Sequence, residues 1–292
     1  MTEKGKYWLE AARPKTLSAS LCPALLGCAL ALRDGVFRPL PAALCVLVAL
    51  LAQIASNFAN DYFDFKKGAD ADDRLGPERA VASGRISPRA MLAATFATLA
   101  AACVCGLVLL FYSTWWLLPL GVAIAICVLA YSAGPFPLAY NGLGDVCVLL
   151  FYGIVPVCFT YYVQALSFGS LSLWMSLPVG LLSVNILIVN NYRDYEQDAA
   201  VGKRTSVVMF GRRFGRLLYL ADGILAVVFT LPLLLKTCLW VVLPYAAFFL
   251  LFLSTWRELT HFEGRALNQT LGHTARNVLF YTLLLILTLF LQ

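Results

Sequence analysis

Charge is scarce in this 292-residue chain: Asp, Glu, Lys and Arg together make up 13% of it, against 61% apolar residues. With a mean hydropathy of +0.78, such a composition excludes an ordinary soluble domain. Histidine occurs only twice, at His261 and His273, and no two of the nine cysteines stand in CxxC spacing. A thiolate or imidazole zinc centre therefore has no sequence to build on. The cysteines read instead as small residues scattered through apolar sequence. A basic excess is missing too. The one charge-dense polar stretch, residues 61 to 89, carries six acidic and six basic side chains, which leaves no case for a nucleic-acid partner.

What remains is apolar sequence in long blocks. A hydrocarbon layer of about 30 Å takes roughly 20 residues of helix. Runs near that length recur at 17–33, 39–60, 90–111, 115–132, 143–165, 172–192, 217–235, 239–256 and 275–291. They are too long and too continuous for lipid-facing strands, which would alternate. The fold class expected is an all-α polytopic membrane protein, a single domain over 1–292 with about nine transmembrane helices. The first run follows four basic residues as a signal peptide would, but its apolar part starts late and eight runs follow, so a retained first helix is expected.

Of the 22 Lys and Arg residues, only Arg33, Arg38 and Lys236 fall on the side opposite the N-terminus. Positive residues stay inside, so the N-terminus and the connections 61–89 and 193–216 are expected to face the cytoplasm from a cell's inner membrane. Nine of the 16 acids crowd into two of these connections, six from Asp61 to Glu78 and three from Asp194 to Asp198.

Their spacing is helical. Asn57 and Asp61 are four apart, as are Asn60 and Asp64, and Asn190, Asp194 and Asp198 repeat every four; such intervals line oxygens along one helix side. Asn57 with Asp61 recurs as Asn190 with Asp194, 133 positions on in each case. Two related halves are expected, each offering an oxygen-rich helix end to one central cavity. Ionised acids at the edge of lipid call for a cation or a wet cavity, and oxygen ligands alone point to Mg²⁺, which bridges readily to phosphate. The neighbouring cations Lys66, Lys67, Arg74, Arg79, Lys203 and Arg204 suit a diphosphate. For Asp72, Asp73 and Glu78 a solvated loop surface is the plainer reading. An ion-coupled transporter would also use intramembrane acids, but near mid-bilayer.

NDYFD at 60–64 followed by Asp70, and RDYEQD at 193–198, resemble the two aspartate-rich motifs of the UbiA superfamily of intramembrane prenyltransferases. RPKTL at 13–17, RLGPERAVASGRISP at 74–88, YSAGPFPLAYNGLGD at 131–145 and NNYRDYEQDAAVGKRT at 190–205 are similar to its 1,4-dihydroxy-2-naphthoate polyprenyltransferases of menaquinone synthesis. The resemblance covers essentially the whole chain. It implies that Asp61, Asp64, Asp194 and Asp198, assisted by Asn57 and Asn190, hold Mg²⁺ bridged to a polyprenyl diphosphate. Asp70 lies six residues beyond Asp64 and off its helical face. Arg79, Lys203 and Arg204 are expected to clamp the diphosphate, with Lys67 and Arg74 in support. An allylic cation needs a dry, aromatic-lined chamber, for which Phe58, Tyr62, Phe63, Tyr131, Phe151 and Tyr152 are candidates, while the lipid tail can leave sideways into the bilayer. The 131–145 segment is expected to shape the aromatic acceptor's pocket through Tyr131, Asn141 and Asp145. Asp145 either orients or deprotonates the acceptor, or caps the following helix. Ring attack with loss of CO₂ and of a proton would give a demethylmenaquinone. The alternative within the superfamily is a sister enzyme with another acceptor, such as 4-hydroxybenzoate, a chlorin or haem.

Overall fold

The structure, a computed structural model, describes residues 2–68 and 75–291. Its first helices are α1 (Glu3–Ala12), α2 (Ser18–Arg33), α3 (Pro39–Lys66) and α4 (Pro88–Leu110). After α5 (Leu118–Ala130) come α6 (Gly144–Leu149), a π-helical turn and α7 (Val155–Ala165). The second half holds α8 (Ser170–Arg193), α9 (Tyr195–Ala200), α10 (Ser206–Leu234), α11 (Leu239–His261) and α12 (Leu267–Phe290). Among the described residues there is no strand, only one bridge between Asn141 and Arg204.

Each of the nine apolar runs lies in a helix, but not every one is long enough to cross a membrane. Seven stretches qualify by length and composition: α3, α4, α6 through α7, α8, α10, α11 and Gly264–Phe290. An eighth is the pair formed by Glu3–Thr16 and α2, bent by 58°. The ninth, Trp115–Ala130, is apolar but short. Its helix stops at the Gly- and Pro-rich segment after Tyr131, where Gly134 and Gly142 adopt φ of +88° and +76°, values that only glycine takes easily. This is an integral membrane protein.

Helix α3 packs along α4, α8 along α10, and α2 sits between α7 and α12. The core is densest where Tyr219, Phe248, Phe252 and Tyr281 meet, each buried to within 1%. Their hydroxyls are satisfied internally, Tyr219 with Thr274 at 3.0 Å and Tyr281 with the Ala226 carbonyl at 2.7 Å, as lipid surroundings demand. At the α8 crossing, Gly153 in the π-turn lies so close to Gly180 that a Cβ on it would stand 2.5 Å from the Gly180 Cα. Two glycines thus let the two backbones touch.

Polar sequence does not end these helices. Helix α3 continues six residues past its apolar run, to a C-cap where Gly68 turns with φ +69°. Helix α10 begins at Ser206, capped by the Thr205 hydroxyl accepting the Val208 N–H at 3.2 Å. The 193–216 connection is therefore mostly helical: α9, then a first length of α10 kinked at Gly211.

Candidate active site

Both oxygen-rich helix ends open onto one cavity, reached by very different local structures. On α3, Asp64 and Asn60 share the cavity face, one turn apart. The Asn60 Oδ1 accepts from Arg13 at 2.7 Å and from Arg79 at 2.5 Å, and its Nδ2 donates to Ser132 at 3.1 Å. Asp64 accepts from the Tyr140 hydroxyl at 2.9 Å and from Arg79 at 3.4 Å. Asn57 also lines the cavity, with its Nδ2 on the Ala12 carbonyl at 3.0 Å. Asp61 does not line it. Only 2% exposed, it turns the other way and accepts the N–H groups of Ala80 and Val81, each at 3.2 Å. The carboxylate thereby fixes the segment that carries Arg79.

On the other end, α8 stops at Asp194 (φ −92°, ψ +16°) and α9 starts afresh. Arg193, 2% exposed, grips Asp194 with two bonds of 2.7 Å. Its remaining amine reaches Asn268 at 2.8 Å, and Asn268 donates to the Leu75 carbonyl at 2.9 Å. Asp198 accepts from Lys203 at 3.1 Å through Oδ1, while its buried Oδ2 has no hydrogen-bond partner. Burial pushes its carboxyl above the usual range, and the Asp194 charge adds to this while Lys203 opposes it. Asn190 lines the cavity with its Nδ2 bonded to the Ile186 carbonyl at 3.1 Å.

The 131–145 segment closes the space between. Tyr131 and Asp145 line the cavity. Asp145 makes no helix cap, and its buried Oδ1 has no partner. Asn141 is used internally, its Nδ2 on the Pro137 carbonyl at 2.8 Å, and is not a lining residue. Lys67 donates to the Ser132 carbonyl at 2.7 Å beside the cavity, and desolvation lowers its pKa, with Lys203 adding to the fall. Lys203 and Arg79 line the mouth; the Arg204 side chain is exposed outside it. Arg74 and Asp70 lie outside the described residues.

Beyond this mouth the cavity is largely apolar, with Gln53, Ser56 and Thr160 among its few polar lining residues. It follows α3 from Asp64 down to Cys45 and is walled by residues such as Leu110, Leu120, Phe151, Tyr152 and Phe159. Nineteen helical residues rise about 28 Å, so an interior path runs the length of the bundle. Of the other ring candidates, Phe58 packs edge-on against Trp8 at 5.5 Å, and Tyr62 against Phe63 at 5.0 Å, away from the lining.

The site suits a hard divalent ion shared with a ligand. Its donors are carboxylate and amide oxygens, and the Asp198 Oδ2 is buried without a partner. Among the described residues no three His, Cys, Asp or Glu side chains lie close enough to cage a bare ion. That matches Mg²⁺, which takes one or two carboxylates and completes its shell with phosphate and water. Asn60, Arg13, Arg193 and Tyr140 were not singled out from sequence as site residues. Asn60 carried a signal in its four-residue step to Asp64, and Arg193 in standing next to Asp194; the contacts of Arg13 and Tyr140 cross 47 and 76 positions and left none.

A fold of membrane helices around two facing Asn/Asp ends is that of intramembrane prenyltransferases. The UbiA prenyltransferase family profile matches residues 20–290, and the chain belongs to that family. The 1,4-dihydroxy-2-naphthoate octaprenyltransferase of Escherichia coli (strain K12) is 35% identical over 98% of this chain and 95% of its own. The Mycobacterium tuberculosis (strain ATCC 25618 / H37Rv) protein of that name is 40% identical over 79% of this chain and 78% of its own. Among solved structures, a UbiA homolog from Archaeoglobus fulgidus bound to DMAPP and Mg²⁺ superposes with a TM-score of 0.66 at 16% identity, over 96% of this chain and 98% of that one.

Proposed function

We propose that this protein transfers a polyprenyl group from polyprenyl diphosphate to 1,4-dihydroxy-2-naphthoate with loss of CO₂, a Mg²⁺-dependent step of menaquinone biosynthesis. The observation that carries the reading is the meeting of Asp64 with Asp194 and Asp198 around one cavity, polar and cationic at its mouth and largely apolar below. The two relatives' shared name, at 35% and 40% identity, selects the acceptor. The whole chain acts as one transmembrane domain in the cytoplasmic membrane, with the N-terminus and the cavity mouth on the cytoplasmic side, as the bias of Lys and Arg suggests.

Asp64 at one end and Asn190, Asp194 and Asp198 at the other would hold Mg²⁺ ions, with Asn57 and Asn60 beside them. Bound there with the diphosphate, the ions would supply positive charge to the leaving group. Arg79 and Lys203 flank the same oxygens and share that charge, with Lys67 close behind and Arg204 nearer the rim; the supporting role of Arg74 rests on the sequence resemblance alone. As the allylic C–O bond breaks, its electron pair goes to the diphosphate. The apolar chamber excludes water, and the Tyr131, Phe151 and Tyr152 rings face the allylic cation. Asp145 takes the proton of a ring hydroxyl, which raises the electron density of the ring carbon that attacks. The new C–C bond forms, CO₂ leaves its electron pair to the ring, and the hydroxyl recovers its proton. Asp61 serves by holding the Arg79 segment.

Protein purified in detergent should release diphosphate from polyprenyl diphosphate only with Mg²⁺ and dihydroxynaphthoate present. Release with 4-hydroxybenzoate alone would move the assignment to a sister enzyme. No release with any acceptor would abandon prenyl transfer for ion-coupled transport.

A further inference from the structure

One side chain joins both oxygen-rich ends, and the reaction scheme above gives it no role. Tyr140 sits in the segment between α5 and α6, far in sequence from either motif. Its hydroxyl donates to the Asp64 Oδ1 at 2.9 Å. Its carbonyl accepts the Arg204 N–H at 3.0 Å, which ties it to the chain just beyond α9. Its ring carries two ammonium groups: the Lys67 Nζ stands 4.0 Å from the ring centroid and the Lys203 Nζ 5.6 Å.

Two like charges do not share a small space without a reason. Their like charges repel across the ring. An aromatic face offsets this, since its negative quadrupole attracts both cations while leaving their N–H groups free to donate elsewhere. Lys67 comes from the first half and Lys203 from the second, so the ring is where the halves' cations converge.

We infer that Tyr140 is a positioning residue: its ring holds Lys67 and Lys203 together as a two-ammonium seat for the diphosphate, and its hydroxyl separately orients Asp64. The inference rests on the prenyl-diphosphate reading of the cavity. It divides the residue into two parts that substitution can separate.

The test is calorimetric binding of inorganic pyrophosphate with Mg²⁺ to the full chain in detergent, run beside prenyl transfer. Tyr140→Phe keeps the ring and should hold pyrophosphate affinity within about twofold, while shifting the Mg²⁺ concentration needed for half-maximal binding. Tyr140→Leu should weaken pyrophosphate about tenfold, and Tyr140→Trp should restore it. In a Lys67→Met, Lys203→Met background, Tyr140→Leu should cause no further loss, because the ring acts through the two lysines. The inference is overturned if Tyr140→Phe alone loses tenfold, if Tyr140→Leu binds as wild type, or if its loss adds in full to that of the double lysine variant. Wild type that binds pyrophosphate but transfers no prenyl group would refute the proposed activity and leave the seat standing.

Discussion

The ends of α3 and α8 are spelled alike, Asn followed four residues later by Asp, and they are built differently. Helix α3 runs unbroken through Asn57, Asn60, Asp61 and Asp64. Adjacent residues on it point about 100° apart, so Asn60 and Asp64 face the cavity while Asp61 faces Ala80 and Val81. Helix α8 breaks at Asp194, and the restart as α9 re-aims Asp198 at the same cavity. The cavity-facing residues therefore relate the halves by a different register. Asn60 and Asp64 precede Asn190 and Asp194 by 130 positions, and Gly68 then corresponds to Asp198. At the first end the third position is a left-handed glycine closing a helix; at the second it is an acid on a new one. One end holds its loop with Asp61, and the other turns both Asp194 and Asp198 to the cavity while Glu196 pairs with Arg212 outside it.

The comparison can be broken most directly at Asp64 and Asp194. Alanine at either should lower kcat/KM for prenyl transfer about a thousandfold, the range found when one preorganised electrostatic group is lost. Both variants should keep the wild-type detergent elution profile and melting temperature to within a few degrees. Wild-type rates in either would remove that residue from the ion's shell.

Asp61 should behave otherwise. Asp61→Asn replaces one of two accepting oxygens with a donor facing a backbone N–H, which costs about 1–3 kcal/mol of stability. Turnover should fall about tenfold, as with lost supporting contacts elsewhere, while the Mg²⁺ concentration for half-maximal rate stays within about twofold of wild type. Amide hydrogen exchange at Ala80 and Val81 should quicken. A shift in Mg²⁺ requirement as large as that of Asp64→Asn would erase the distinction between the two acids and return Asp61 to the ligand set.

How far could sequence go toward this picture? Hydropathy reports burial in lipid directly, so each of the nine apolar runs falls on helical structure, although among the described residues only seven stretches, or eight with the bent pair, are long enough to span. It failed at their ends, placing the close of α3 at 60 and the start of α10 at 217, since a helix leaving the membrane turns polar without ceasing to be helical. The short amphipathic α1 left no apolar run at all. Within the site, four-residue steps found the acids, but periodicity shows neighbours on one helix and is silent about rotation toward a cavity. Asp61 and Asn60 differ only in that rotation. Tyr140 on Asp64 and Asn268 on Arg193 come from segments brought in by folding, and single-sequence spacing carries no trace of them.

The partners sharpen the comparison further at Arg193. Its guanidinium meets the Asp194 carboxylate side-on through two bonds and has one amine left for Asn268. A lysine offers a single ammonium without that fork. Arg193→Lys should raise the KM for prenyl diphosphate about tenfold with a smaller change in kcat. Arg79→Lys should be milder at the first end, where the contact with Asp64 is a single one of 3.4 Å. Equal effects of the two substitutions would mean that both ends use their arginines alike.

The smallest effect belongs to the tie between the ends. Asn268 holds Arg193 with its oxygen and the Leu75 carbonyl with its amide, so it bridges the second motif to the chain that returns from the first. Asn268 does not itself line the cavity and reaches it only through Arg193. Asn268→Ala removes one charge-assisted and one neutral hydrogen bond at a partly exposed position, a loss of about 1–2 kcal/mol shared between folding and closure. The KM for prenyl diphosphate should rise about threefold with kcat within twofold of wild type, and protease should cut between 75 and 87 more readily in the absence of substrate. If cleavage quickens and KM does not move, the tie stabilises the loop without shaping the site. If KM rises only in step with a fall in kcat, Asn268 acts through Arg193 on the reacting diphosphate, and the two ends are coupled by chemistry as well as by contact.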